Sequence, residues 1–456
     1  SSMLMESTLP KTIISRGMEH MKKKGNEGLW FVVLGLFSLA GGICFGLVAA
    51  FQFLYPDFIQ ALPFFKSRPL HVSMVVAWIF STAAGGIYYY VPRYSNLQWR
   101  FRGLIKLHFA FFLVTGLLIL AAYVSGKFGG REYWEFPPVL AIPIFVSWIF
   151  FGVNYFITLR KKTGPWPVYM WMWGTGIVFF FLTLSEAYLW IFPHFTENII
   201  REITIQWKAY GALVGSWNMM VYGTAIFLMT KISGNEDLAK SKMAFGLFLL
   251  GFTNLLFGWA HHTYFVPSAP WIRHFAYLVS MTELFILGKI IWDWRSTLSS
   301  YQKHQHLFAY RFLFASEIWI FLNLALALAI SIPAINIFTH GTHITVAHSM
   351  GSTIGINTMI LMASVYFIIR ELMPAKEGFN GDKTTSVGFW ITQISLAVFW
   401  FALLGAGIVK GSNSNQAFAS VMSDAEPYLF TFACAGFFLM IGLLTLIYSA
   451  LRRLLG

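Results

Sequence analysis

The sequence predicts an all-α integral membrane protein of twelve transmembrane helices, on three observations. Of its 456 residues 57% are hydrophobic and only 11% charged, too apolar a balance for an ordinary soluble globule, which needs a water-facing side. The apolar residues fall in long runs, and a helix needs roughly 20 mostly apolar residues to cross a bilayer. Twelve such runs occur in order, near 28–54, 69–92, 104–125, 138–159, 167–192, 203–230, 243–262, 269–292, 312–334, 344–369, 386–409 and 427–451.

The segment before the first run, 1–27, is polar and reads as an N-terminal tail on the cytoplasmic side. The run beginning near Gly28 is long enough to cross and stay, so it is expected to be a retained span and not a cleaved signal peptide. Residues 28–456 read as one helical domain, without a low-complexity segment or a convincing internal repeat. With the tail inside, 23 of the 32 Lys and Arg collect on the inner side and eight on the outer side, while Lys289 lies within a span. That bias predicts both termini inside, in a bacterial cytoplasmic (inner) membrane. The net charge of +13 is thereby explained by topology and gives no reason to invoke nucleic acid. Membrane lipid is the expected surrounding. Cys44 and Cys434 both lie in apolar runs, where packing and not a disulfide is the expected role.

An ionisable group within the hydrocarbon costs several kcal/mol and is usually there for a function, so depth sorts the twelve histidines. His20, His108, His194, His274, His304 and His306 lie in tails, loops or helix ends and read as structural or solvated. The other six share one depth at the outer side. His71 opens the second run in RPLHVSMVVAW, His261 and His262 close the seventh in GWAHHTYF, and His340, His343 and His348 surround the start of the tenth in THGTHITVAHSM. One histidine at a helix end is commonly a satisfied polar group. Six at one level of a bundle favour a metal or haem centre. Two residues along a helix is about 200° around it, so His348 and Met350 would face opposite ways. Both are competent axial ligands for haem iron, although Met350 is equally suited to packing.

These segments resemble the large subunit of bacterial nitric oxide reductase, a member of the haem-copper oxidase superfamily. PFFKSRPLHVSMVVAWIFSTAAGGIYYYVPR is similar to that family's second span, which supplies a histidine to a low-spin haem, and this implies that role for His71. INIFTHGTHITVAHSMGSTIG is similar to its tenth, where an H-x-H pair binds a high-spin haem and completes the low-spin one. The resemblance places His348 on the high-spin iron and Met350 where the second histidine stands. The outer loop GREYWE resembles one whose glutamate binds a calcium ion beside the haem propionates, which implies that ion at Glu132; carboxylate oxygens suit it. GWAHHTYFVPSAPW followed by SMTE resembles the segment that gives two histidines to a non-haem iron and then a nearby embedded glutamate. His261, His262 and Glu283 hold those positions. The implied architecture is a haem-copper oxidase subunit I-like bundle with two haems, b-type, and a non-haem metal.

The sixth run departs from this pattern. The family carries there a histidine as third metal ligand and two glutamates at successive four-residue steps. Aligned on KISG at 231–234 and on Trp217, this sequence has Tyr210, Val214 and Asn218, and no histidine from 195 to 260. A ferrous non-haem iron wants imidazole and carboxylate ligands. A phenolate at Tyr210 is one substitute, once the phenol has lost a proton held near pH 10; a hydrogen-bonded aromatic is the other reading. Lys208 either enters the same cavity or snorkels to the outer interface.

The resemblance implies an electron-accepting membrane haem oxidoreductase that binds nitric oxide or a related small gaseous molecule, with Glu283 and Tyr210 as candidate catalytic residues. A thioether ligand raises a haem's potential, which suits a periplasmic donor such as a small membrane-anchored cytochrome c. The altered sixth span leaves open a changed reaction, such as nitric oxide dismutation or oxygen reduction. It also leaves open a subunit that keeps the haems as an electron-transfer or scaffold element without catalysis. A small-solute transporter has the span count but gives no account of the histidine layer.

Overall fold

A computed structural model describes residues 19, 21–280, 282–373 and 382–456; His20 and Met281 lie outside these residues. Twelve helices among the described residues are long and apolar enough to cross a membrane, and the chain is an integral membrane protein. They are α1 (Gly28–Gln52), α2 (Phe64–Tyr94), α3 (Arg102–Val124), α4 (Pro138–Leu159), α5 (Val168–Ile191), α6 (Ile199–Ser233), α7 (Lys242–Thr263), α8 (Pro270–Thr297), α9 (Leu307–Ser331), α10 (His343–Leu372), α11 (Lys383–Ser412) and α12 (Phe418–Leu455).

Several helices run a turn or more beyond the apolar runs that predict them. The reason is local: polar residues at a bilayer surface continue the backbone hydrogen bonds that the apolar stretch begins, since in lipid only a closed ladder is tolerated. The longer starts are set by caps. Asn198 accepts from the backbone N–H groups of Ile200 and Arg201 to open α6, and Gly234, at φ 69°, closes it, a left-handed position that glycine occupies without strain.

Three irregularities lie at or beside the histidine-bearing end. The last turn of α7, Gly258–Thr263, tightens into a 3-10 helix and carries His261 and His262. The predicted run 269–292 is one span in two pieces, a helix over Pro270–Val279 and a second over Glu283–Thr297. On α10 the α-helix continues through Met350 and then widens into a π-helix over Gly351–Thr358. Such departures from α geometry recur at functional sites.

Each helix packs against its neighbour in sequence, α12 returns to α1, and α6 touches α2, α5, α7 and α10. Burial follows: 94% of the most apolar window of α6 and 83% of that of α10 are buried, against 22% for α3. One continuous apolar core runs through the bundle. Polar pairs tie helices across it, among them Trp78 Nε1 donating to Thr358 Oγ1 at 3.1 Å, and the hydroxyls of Tyr90 and Ser364 sharing a hydrogen bond at 2.7 Å. His108 is part of this scaffold, within hydrogen-bond reach of the Tyr88 hydroxyl at 2.9 Å and against the ring of Phe151. Both cysteines are free thiols.

Candidate metal and haem site

The six histidines of the outer layer separate into groups. His261, His262, His340 and His348 line one small cavity together with Ser280, Ser331, Asn336, Thr339 and Thr345. His71 and His343 stand outside it. The cavity holds about 20 Å³, room for one water or a single ion. It accommodates no macrocycle, so the haem positions are argued from the donors themselves.

His71 sits on α2 with Nδ1 2.6 Å from the carbonyl oxygen of Gly42 on α1. The carbonyl can only accept, so it fixes the tautomer with the proton on Nδ1 and leaves Nε2 free as a donor to a metal. That is the arrangement by which ligating histidines are oriented. The helices come this close because Gly46 has no side chain; a Cβ there would lie 2.6 Å from His71 Nδ1. These residues fit a haem ligand.

On α10, His348 lines the cavity and its Nδ1 is buried without a partner. Its own carbonyl accepts from Asn323 Nδ2 at 3.2 Å, so α9 anchors the backbone at this point. Because the helix is regular from His343 to Met350, the half-turn separation between His348 and Met350 holds, and Met350 packs against the main core away from the cavity. His343, two turns before Met350 on the same face, is buried against Phe53 with both ring nitrogens unpartnered.

His261 and His262 are consecutive on the tight 3-10 turn, with ring centroids 4.2 Å apart. His261 Nδ1 is 3.5 Å from Ser280 Oγ, which contacts Ser331 Oγ at 2.9 Å. His262 Nδ1 is 3.4 Å from His340 Nε2. The break in α8 brings Ser280 to this cavity and then starts a new helix on Glu283, whose side chain is as fully buried as that of Ser280. Asn254 Nδ2 of α7 donates to Glu283 Oε1 at 3.1 Å, while Oε2 is buried without a partner.

Tyr210 is buried, with its ring edge-on to Tyr133 of the GREYWE loop at 5.1 Å and its hydroxyl unpartnered; it does not line the histidine cavity. The α6 side chain that reaches the imidazoles is Trp207, three residues earlier. Its indole lies parallel to His262 at 4.5 Å and 12°, and 5.9 Å from His340. Asn218 is buried and accepts from Asn357 Nδ2 on the π-helix at 3.3 Å. Lys208 pairs with Glu186 of α5 at 2.5 Å.

The GREYWE loop is tied to α2 by Arg68, one turn before His71. Arg68 contacts Glu132 at 2.6 Å and Glu135 at 3.7 Å. Arg131 pairs with Glu202 at 2.8 Å and lies over Trp190. Burial pushes the Glu135 carboxyl above its ordinary range. A calcium ion at Glu132 would compete with Arg68, and an ion pair this exposed is worth at most about 1 kcal/mol. Arg68, Trp207 and Asn254 are the residues that sequence reasoning passed over. Arg68 carried a signal, lying one helical turn before His71.

A helical membrane bundle with imidazoles gathered in one cavity and a buried carboxyl on the helix that starts beside it is a candidate metal-binding membrane protein. The chain belongs to the family of cytochrome c and quinol oxidase polypeptide I, which it matches over residues 27–438. Members of this family are oxidoreductases of respiratory electron transport, in the haem-copper oxidase superfamily, and bind haems and a metal at the active site. Among relatives, a nitric oxide reductase subunit of Stutzerimonas stutzeri is 22% identical over 450 residues, covering 93% of this chain and 94% of its own length. Cytochrome c oxidase subunit 1 of Rhodobacter capsulatus is 24% identical over 403 residues, 81% and 72% of the two chains. The cbb3-type cytochrome c oxidase subunit CcoN1 of S. stutzeri is 23% identical over 403 residues, 83% and 81% of the two chains. A solved heme-copper terminal oxidase superposes with a TM-score of 0.71 over 94% of this chain and 84% of that one, at 14% identity, and shares its fold.

Proposed function

We propose that this chain is a nitric oxide reductase-like membrane haem oxidoreductase that binds nitric oxide or a related small molecule beside His348, His261 and His262. The observation that carries this reading is the cavity in which those imidazoles meet at one end of the bundle. In support, the match to a nitric oxide reductase subunit spans almost both chains. His71 and Met350 would hold a low-spin haem, His348 a high-spin haem, and His261 and His262 a non-haem metal. When bound, these groups supply electron transfer and open metal positions for a small ligand.

The chain's own residues have separable tasks. The Gly42 carbonyl orients His71. Asn323 fixes the backbone that presents His348. Glu283, held through Oε1 by Asn254, keeps Oε2 available to hold or deliver a proton beside the cavity, a general-acid role that contributes on the order of 10²–10⁴ in rate. A donor such as a small membrane-anchored cytochrome c, approaching from the histidine-bearing end, and a bacterial inner membrane with both termini inside complete the reading. A calcium ion at Glu132 remains part of the reading, in exchange for the exposed Arg68 pair, and Tyr210 is given no catalytic part, because its ring turns to the loop.

A second reading, a subunit that keeps the haems without catalysis, is favoured by Val214 and Asn218 standing where the family has carboxylates. A reduced-minus-oxidised spectrum with a carbon monoxide difference, joined to turnover on nitric oxide, separates the two. The proposal expects two haems, one open to carbon monoxide, and consumption of nitric oxide with release of nitrous oxide. Oxygen release would instead mark dismutation, consumption of oxygen in place of nitric oxide would mark oxygen reduction, and an absence of consumption of either gas with every donor tried would leave only the non-catalytic subunit.

A further inference from the structure

We infer that His340, at the end of the short helix Pro333–Thr339, is the third imidazole ligand of the non-haem metal, standing in for the donor that α6 lacks. This rests on the reading above that a metal binds at His261 and His262, and it adds a residue from a different part of the chain.

The first support is spacing. His262 Nδ1 and His340 Nε2 are 3.4 Å apart, longer than the 2.7–3.2 Å usual for a hydrogen bond to nitrogen. Two nitrogens each about 2.0–2.1 Å from one ion, at a tetrahedral angle, lie about 3.3–3.4 Å apart. The pair is therefore already spaced as two ligands of one metal. Both line the cavity of about 20 Å³, and His261 lines it beside them. Among the described residues no three His, Cys, Asp or Glu side chains yet converge on a single point. His261, the remaining imidazole of the set, lines the same cavity and is held only by a marginal 3.5 Å contact to Ser280 Oγ.

The second support is how His340 is held. Pro333 starts its helix, the His340 N–H donates to the Asn336 carbonyl at 2.9 Å, and Asn336 Nδ2 donates to the Ile330 carbonyl at 3.0 Å. Gly341 follows at φ 79°, where a side chain would be strained. The Thr342 and Thr345 hydroxyls then donate to the Thr339 carbonyl at 2.7 and 3.1 Å. A turn this fully bonded presents its imidazole with little freedom left to lose, as a ligand site requires.

The third support is the opposite wall. Trp207 lies flat on His262, so α6 contributes a hydrophobic face where a donor would otherwise stand. The resulting set is three neutral imidazoles without a carboxylate. Such a set suits copper, zinc or iron, and by the usual affinity order it favours copper over ferrous iron.

The test is metal content per haem, measured on the purified full chain after dialysis against EDTA, for wild type, His340→Ala, His340→Cys and His343→Ala. The wild type is expected to keep metal beyond the haem iron. His340→Ala should lose it at least about tenfold more readily with the haem spectrum unchanged, His340→Cys should recover retention through its thiolate, and His343→Ala should match wild type. Equal retention in His340→Ala overturns the assignment of His340 while leaving a metal on His261 and His262. A wild type without extra metal overturns the metal itself.

Discussion

At the scale of single residues, the two candidate haem ligands of α10, His348 and Met350, differ sharply in chemistry. One helix offers them to opposite sides because the α geometry persists through Met350 before the π-helix begins. If Met350 completes the low-spin haem, Met350→His should keep that haem and lower its midpoint potential, because thioether ligation raises it relative to imidazole. A redox titration followed optically checks this, and an unchanged potential would remove Met350 from the ligand set. His71, His348, His261, His262 and Glu283 could all be singled out from residue type and order. Trp207 could not, since nothing in an indole three residues before Tyr210 announces which face of α6 meets α7.

At the scale of elements, the site depends on where helices come close and where they break. The α1–α2 contact brings the Gly42 carbonyl to His71 only because Gly46 is bare. Gly46→Ala would overpack this contact at a cost of about 1–3 kcal/mol. It should shift or broaden the low-spin haem band and lower the thermal midpoint. Gly103→Ala, where a Cβ would meet nothing within 4 Å, should leave both unchanged and serves as the control. The break in α8 is the matching case. The apolar run 269–292 gives no sign of it, because Ser280 and Thr282 are tolerated in a continuous helix, yet it delivers Ser280 to the imidazoles and restarts the helix on Glu283.

At the scale of the whole molecule, the last two helices close the bundle onto α1, and they are stapled at the end opposite the histidines. Asp382 caps α11 by accepting from the Thr385 backbone N–H at 2.9 Å and pairs with Arg453 of α12 at 3.1 Å. Burial favours its neutral form, but the Thr385 hydrogen bonds and the Arg453 guanidinium outweigh this and hold the carboxyl below its ordinary range. A group whose folded pKa is depressed contributes stability above its unfolded pKa and loses it as pH falls through the folded one. Asp382→Asn should therefore lower thermal stability at neutral pH, and the difference from wild type should close under acid conditions below the ordinary carboxylate range. A gap of constant size down to that acidity would show that the charge is not what holds α11 to α12.

The sequence by itself determined the membrane class, the twelve spans and their order, and the set of histidines at one level. It could do so because each follows from local composition and length: a bilayer demands closed helices of fixed reach, and a charged or polar group at depth stands out against an apolar run. Only the tertiary structure decided that four of those six imidazoles share a cavity while His71 and His343 face elsewhere. It also decided that Arg68 occupies Glu132 and that α6 turns Trp207, not Tyr210, toward the metal-binding pair. Those outcomes depend on helix rotation and on contacts between residues as far apart as His262 and His340, where a 3.4 Å separation is set by the packing of the whole bundle.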